Sequence, residues 1–305
     1  PRRRRERDEP MIRYGPAGWS YADWAGIVYP RPKPKGFDEL QYMAGYFDTV
    51  EVNSTFYRPA RREVAESWLR RTRFNPDFRF TAKLWQRFTH QRKEAWTHDE
   101  VAEARAAFDP MLDQGKLGAL LLQFPWSFRR TDENREWLDD LARTFADFPL
   151  VLEVRHESWN TPELFRELAE RGIGFVNIDQ PLFHDSIAPS AHATSSVGYV
   201  RVHGRNYQDW FRDKAAPHER YDYLYSAQEL KPWAERAKEI AAEPRTKEVF
   251  VVTNNHYQGK GITNTVMLQS LVEGGKRPAP PGLFGVYGEV LDAYAWPAEP
   301  EKQPE

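Results

Sequence analysis

Eight strand-like segments, separated almost everywhere by amphipathic helical patterns, constrain this chain more than any other feature. They read IRYGPA (12–17), TVEVNS (49–54), FRFTAKL (78–84), ALLLQFP (119–125), LVLEVRH (150–156), GFVNID (174–179), YVRVHG (199–204) and EVFVVTNN (248–255). Between and after them, FDELQYMAGYF, RREVAESWLRRT, DEVAEARAAFDPML, ENREWLDDLARTFADF, TPELFRELAERG, SAQELKPWAERAKEIAA and NTVMLQSLVEGG place apolar residues three or four apart, the spacing of a helix with one buried face. Thr161 before Pro162, and Gly172 beyond the last turn, bracket one of these helices with residues suited to its two ends. Only residues 180–198 lack a helical pattern, and a loop with one short turn is expected there. Eight β–α units suit a (β/α)8 barrel, whose usual size is about 250 residues. A doubly wound open sheet is the other arrangement, and the absence of G-x-G-x-x-G after the first strand counts against its dinucleotide-binding form. The expected fold class is α/β: a single-domain (β/α)8 TIM barrel over residues 11–275, with polar C-terminal strand ends. A charged tail (1–10) would precede it. A Pro-rich tail (276–305) would follow, in which GLFGVYG is a candidate to dock on the body.

Composition closes off several function classes. The chain has 305 residues and a net charge of −2, so no global field draws it to nucleic acid or to a membrane. It has no cysteine, which excludes disulfides and thiolate metal sites. No apolar run reaches about 18 residues, so no membrane span is expected. PRRRRERDEP is not followed by the apolar stretch of a secretory signal, and a cytoplasmic location is the default expectation. Arg2–Arg5 reads as a solvated tail, with a nucleic-acid arm as the alternative.

The strands carry an unusual alternation. Successive side chains of a strand point to opposite faces, and in a barrel one face meets the helices while the other fills the interior. Val50 and Val52, Phe78 and Phe80, Leu152 and Val154, Val176 and Ile178, and Val200 and Val202 make one apolar set. Assigning that set to the helices sends Arg13, Glu51 with Asn53, Thr81 with Lys83, Gln123, Glu153 with Arg155, Asn177 with Asp179, Arg201 with His203, and Asn254 inward. Barrel interiors are usually filled by branched apolar side chains, and an unpaired buried charge costs several kcal/mol even after relaxation. Charges in such number must be paired, hydrated or used. One reading is an internal ion-pair lattice, for example Glu153 with Lys83 or Arg155. The other is a ligand site, since the polar residues gather toward the strand ends where barrel active sites lie.

Arg13, Arg155 and Arg201 are guanidinium forks that match carboxylate or phosphate. With Lys83 they slightly outnumber the inward anions, which suggests a small anionic ligand. Glu51, Glu153, Asp179 and His203 could instead hold a divalent metal, but the interleaved cations disfavour a tight cage, and the cofactor is left open. His90 and His156, at strand ends or early loops, are candidate proton-transfer groups or structural histidines. Aromatic residues follow the strands: Trp19, Tyr21, Trp24, Trp85, Phe88, Trp126, Trp159, Tyr207, Trp210 and Phe211. They would pack the rim or form a stacking platform for a sugar or base. The segment 204–225 is long enough to act as a lid.

GWSYADW, VEVNSTFYR, FRFTAKLWQRFTH, LGALLLQFPWSF, LEVRHESW, YVRVHGRN and VVTNN occur in an order and spacing that resembles the YecE-like family, the domain of unknown function seventy-two. The resemblance runs from about residue 12 to residue 272 and touches every strand. It implies a (β/α)8 barrel and no established reaction. The family's relation to sugar isomerases implies ligand or acid–base positions at Glu51, Lys83, Glu153, Asp179 and His203, with Trp19, Asn53, Gln123, Arg155, His156, Arg201 and Asn254 as ligand-binding candidates. One departure is visible. The family pattern Gly-Thr-Ser-Gly-Trp is here Gly15-Pro16-Ala17-Gly18-Trp19, which puts in doubt any hydroxyl role at the first strand.

Three functions fit these residues. In an enzyme acting on a small anionic, sugar-like substrate, Glu153 or Glu51 would be the general base, Lys83 or His203 the acid or electrophile, and Arg155 with Arg201 the anion clamp. Isomerisation and hydrolysis both stay open, the latter through two carboxylates flanking a bond. The arginine tail and rim aromatics suggest a nucleic-acid end-binding protein instead. A non-catalytic binding or scaffold protein would use the interior charges as a lattice. The oligomeric state is not encoded in these patterns.

Overall fold

A computed structural model describes residues 10–207 and 219–300. Its core is an eight-stranded parallel sheet in the order β1-β8-β7-β6-β5-β4-β3-β2. The strands are β1 (Met11–Pro16), β2 (Thr49–Val52), β3 (Arg79–Lys83), β4 (Leu117–Gln123), β5 (Leu150–Glu153), β6 (Gly174–Asp179), β7 (Val197–Val202) and β8 (Glu248–Thr253). A bridge between Ala17 and Glu51 joins β1 to β2 and closes the sheet into a barrel. Gly15 makes that closure feasible. A Cβ there would lie 1.9 Å from the Thr49 carbonyl oxygen, so no larger residue lets the two strands approach.

Helices α1 (Glu39–Ala44), α2 (Ser54–Tyr57), α3 (Arg62–Thr72), α4 (Gln86–Thr89), α5 (His98–Asp113), α6 (Asp132–Thr144), α7 (Pro162–Arg171), α8 (Ala227–Ala242) and α9 (Lys260–Glu273) surround the strands. Their ends follow local chemistry. Thr97 with Glu100, and Ser226 with Glu229, form reciprocal capping boxes at the starts of α5 and α8. Pro162 opens α7, and Gly172 closes it at φ 68°. No helix joins β6 to β7. There Asn177 secures the loop instead, accepting from the Ser190 hydroxyl (2.8 Å) and the His192 amide (2.8 Å).

Beyond the barrel the chain continues into β9 (Arg277–Ala279), α10 (Pro281–Leu291) and β10 (Ala295–Pro297). The two strands pair in parallel, and Ala279, Leu283, Leu291 and Ala295 are buried. The Pro-rich composition suggests a loose end, yet LFGVYG supplies enough apolar surface to hold this segment in place. The Arg2–Arg5 run lies outside the described residues. Among the described residues no helix is long and apolar enough to cross a membrane.

Candidate functional site at the C-terminal mouth of the barrel

Register fixes which side chains share the interior. Glu51 pairs with Thr81, Lys83 with Leu121, Gln123 with Glu153, and Arg201 with Val252. These residues face inward, as alternation predicts. Strand β6 departs from the expectation. Ile178 pairs with Arg201, and Asp179 with Val202, so Val176 and Ile178 fill the interior while Asn177 and Asp179 lie on the helix side. Phe175, on the same face as Asn177, packs edge-on against Phe165 of α7. An all-buried strand reads as apolar on either face, which is why the pattern of β6 alone misassigns it.

At the centre stands Arg201, fully buried. Its Nε and Nη2 grip Glu51, at 2.9 Å to Oε2 and 2.6 Å to Oε1, while Nη1 reaches Glu153 Oε2 at 3.1 Å. Burial opposes the Arg201 charge, but the two carboxylates outweigh it and hold the guanidinium above its ordinary pKa. Glu51 also accepts from the Tyr199 hydroxyl at 2.8 Å, and that oxygen lies 2.9 Å from Thr81 Oγ1. Tyr199 is an inward residue two positions before Arg201, so the alternation contained it. The aromatic ring disguised its polar end.

Glu153 is satisfied from three directions. Besides Arg201 it accepts from Arg155 Nη2 at 2.7 Å and lies 3.2 Å from His203 Nε2. Burial acts to raise its pKa, and the surrounding Arg201, His203 and Arg155 overcome this and hold the carboxyl well below the usual range. His203 is pushed down to about 3, first by burial and then by Arg155, so its ring is neutral. Its Nδ1 lies 3.0 Å from the Asn254 amide nitrogen. One tautomer fits both contacts: Nε2–H donates to Glu153, and Nδ1 accepts from Asn254.

This lattice changes the roles read from the sequence. Glu51 and Glu153 are buried acceptors whose lone pairs are engaged by cations, so neither stands free as a general base. Arg201 is enclosed by both and is not an open anion clamp. Arg13 lies at the opposite end of the barrel, 3.2 Å from Glu248 and bonded to the Asp77 carbonyl. Asp179 belongs to another cluster: Arg205 donates to it twice (2.9 and 3.0 Å), and the Tyr225 hydroxyl is hydrogen-bonded to it. The sequence reading missed Arg205 and Tyr225, which sit on the connection after β7 where no periodicity marks them. Among the described residues no three His, Asp or Glu side chains form a group able to hold a metal ion.

The accessible part of the site is cationic. Lys83 ends β3, anchored by a bond from Thr55 Oγ1 to its carbonyl (2.7 Å), and its Nζ lies 4.0 Å over the ring of Phe56. Among the described residues no carboxylate lies within ion-pair distance of that amine. Burial, then Arg201, lower its pKa to about 7, against the opposite pull of Glu51 and Glu153. His90 packs edge-on against Phe56, at 4.8 Å, and burial with the Lys83 charge pushes it down to about 4. Arg155 is partly exposed and also donates to Gln180 at 3.3 Å. Phe56 carried no signal of its own in the sequence.

The remaining candidates are dispersed. The Gln123 amide donates to the Phe124 carbonyl at 3.1 Å. Near Asn53, the Tyr21 hydroxyl donates to the Ala17 carbonyl at 2.7 Å, and its ring stacks on His256 at 4.2 Å between centroids. Trp19 packs edge-on against Trp68 at 5.5 Å. Trp24, Phe88 and Trp159 are buried core residues and offer no stacking platform. His156 caps the Glu157–Trp159 turn by accepting from the Ser158 amide, beside Trp126, and it does not join the central cluster. Trp210 and Phe211, with half of the suggested lid (208–218), lie outside the described residues.

Comparison with known proteins agrees with this architecture. Residues 13–283 match the family model described as protein of unknown function DUF72. The UPF0759 protein YunF of Bacillus subtilis is 30% identical over 279 residues, covering 86% of this chain and 95% of its own length. The UPF0759 protein YecE of Escherichia coli K12 is 29% identical over 181 residues, covering 57% of this chain and 61% of its own. A crystal structure of a DUF72 family protein from Thermotoga maritima superposes with a TM-score of 0.74 at 32% identity, covering 86% of this chain and 99% of that one. One from Enterococcus faecalis gives 0.73 at 24% identity, covering 87% and 96%.

Proposed function

Because the chain belongs to the DUF72 family, whose description carries no reaction, its function must be argued from the site, and we propose that it binds a small anionic ligand at the C-terminal mouth of the barrel and acts on it by acid–base chemistry. Lys83 is the proton acceptor. One observation carries this reading: an amine at the mouth of the barrel, near Arg155 and Arg201, has no carboxylate partner among the described residues and a pKa of about 7. A base poised near the working pH transfers protons efficiently. The buried lattice has a supporting role. Arg201, Glu51, Glu153 and His203 fix Arg155 at the edge of the mouth, where its guanidinium faces an anionic group such as a carboxylate or phosphate. The sugar-like character of the ligand rests only on the family's relation to sugar isomerases.

A thermal-shift screen of sugars, sugar phosphates, nucleotides and carboxylic acids tests this reading, with Arg155→Ala as the control. An anionic ligand should raise the Tm of the parent and not of Arg155→Ala. If no anion stabilises the parent, the reading is wrong. Binding by oligonucleotides that falls steeply with salt would favour the nucleic-acid alternative.

A further inference from the structure

Resting on the proposed anion site, we infer that Lys83 is also a nucleophile that forms an imine with a carbonyl-bearing anionic ligand held by Arg155. The geometry favours bond formation. The amine lies over the face of Phe56, a ring that also packs edge-on against His90. Among the described residues no carboxylate within ion-pair distance ties it up as an ammonium. Its surroundings keep part of the amine neutral and still tolerate a cationic product. Glu51, Glu153 and the electron-rich face of Phe56 offset part of the penalty that burial and Arg201 place on positive charge at this nitrogen. An iminium left in the same place inherits those interactions. A lysine that is partly unprotonated in such surroundings is the usual form of an imine-forming group.

The step balances without an added oxidant or reductant. The nitrogen lone pair attacks the carbonyl carbon, forming the C–N bond and moving the C=O π electrons to oxygen. A proton passes from nitrogen to that oxygen, giving a carbinolamine. A proton from solvent converts the carbinolamine hydroxyl to water, which leaves as the nitrogen lone pair forms C=N. The product is the iminium, which still carries one N–H, and loss of that proton gives the neutral imine. Arg155 contributes by holding the ligand's anionic group, so a charged aldehyde should react ahead of its neutral analogue.

The test uses the full chain with glycolaldehyde phosphate, or neutral glycolaldehyde, plus sodium cyanoborohydride, which reduces an imine to a stable amine. Peptide mapping by mass spectrometry then locates the adducts. An ordinary lysine at neutral pH is unprotonated in only about one molecule in 10³, against roughly half for Lys83, so Lys83 should label at least about tenfold faster than any other lysine. The phosphate should accelerate labelling of Lys83 alone. Arg155→Ala should abolish that acceleration, and Lys83→Met should leave only slow, scattered labelling. Adducts spread evenly over surface lysines, or equal rates with both aldehydes, overturn the inference. A parallel thermal shift with phosphoglycolate, which has no reactive carbonyl, separates the two readings. Stabilisation by phosphoglycolate without Lys83 labelling sinks the imine and leaves the anion site standing. Absence of both sinks both.

Discussion

Arg201 Nη2 lies 2.6 Å from Glu51 Oε1, and both side chains are fully buried. The same guanidinium reaches Glu153 at 3.1 Å, so one buried cation balances two buried carboxylates drawn from different strands. Arg201→Met would leave both with less than their pairing. Removing one member of such a buried group typically destabilises by about 3–5 kcal/mol. The chemical-denaturation midpoint should fall accordingly. The double variant Arg201→Met with Glu51→Gln should recover part of the loss, because it removes a stranded charge together with its partner. Strictly additive losses would show that the two residues are not coupled.

The pH dependence of stability isolates Lys83. Its folded pKa of about 7 lies below the ordinary lysine value of about 10.4, so over that window the unfolded chain holds the proton more tightly. Stability contributed through this group therefore rises with pH from about 7 to about 10. Below pH 7 the amine is charged in both states, and the penalty of burying it is fully present. Lys83→Met should stabilise the protein by about 2–4 kcal/mol at pH 6 and by much less at pH 10. Unfolding of parent and variant across this range checks the convergence. A constant difference would mean that Lys83 carries an ordinary pKa.

His203 makes an independent prediction from the same lattice. A ring buried between Glu153 and Asn254, with its pKa pushed down to about 3, does not titrate between pH 5 and 8. Its ring-proton resonances, assigned by loss in His203→Gln, should stay constant over that range. A titration midpoint near 6 would mean that burial and Arg155 do not hold His203 below its ordinary pKa. Because the folded pKa lies below the ordinary value of about 6.5, stability through this group is retained above that value and declines as pH falls toward 3.

The strand count, the barrel and the inward placement of Glu51, Lys83, Glu153, Arg155 and Arg201 were legible because period-two alternation is a local property of each strand. Two things were not. Alternation says that two sets of side chains face opposite ways, but not which set faces in. Where both sets are compatible with burial, as in GFVNID, the choice depends on pairing with β7. Nor does alternation give depth along the barrel axis. In the sequence Arg13 therefore groups with Arg155 and Arg201, although it pairs with Glu248 at the other end. In the sequence Lys83 is equivalent to the other charges; distances separate the paired ones from this amine, which has no carboxylate partner among the described residues.

Asp179 turns that lesson into a test. The sequence grouped it with the catalytic carboxylates, but its oxygens accept from Arg205 at 2.9 and 3.0 Å, and the Tyr225 hydroxyl is hydrogen-bonded to it as well. Its place is to tie the end of β6 to the connection that follows β7. Asp179→Asn keeps the shape and weakens the two charge-assisted bonds, each of a kind worth about 1.5–3 kcal/mol. Stability should fall, and amide exchange at Gly204, which donates to Tyr225, should quicken. At a temperature where the variant is folded, the Tm increase produced by an anionic ligand should match that of the parent. Loss of the ligand effect in folded Asp179→Asn would return this carboxylate to the site.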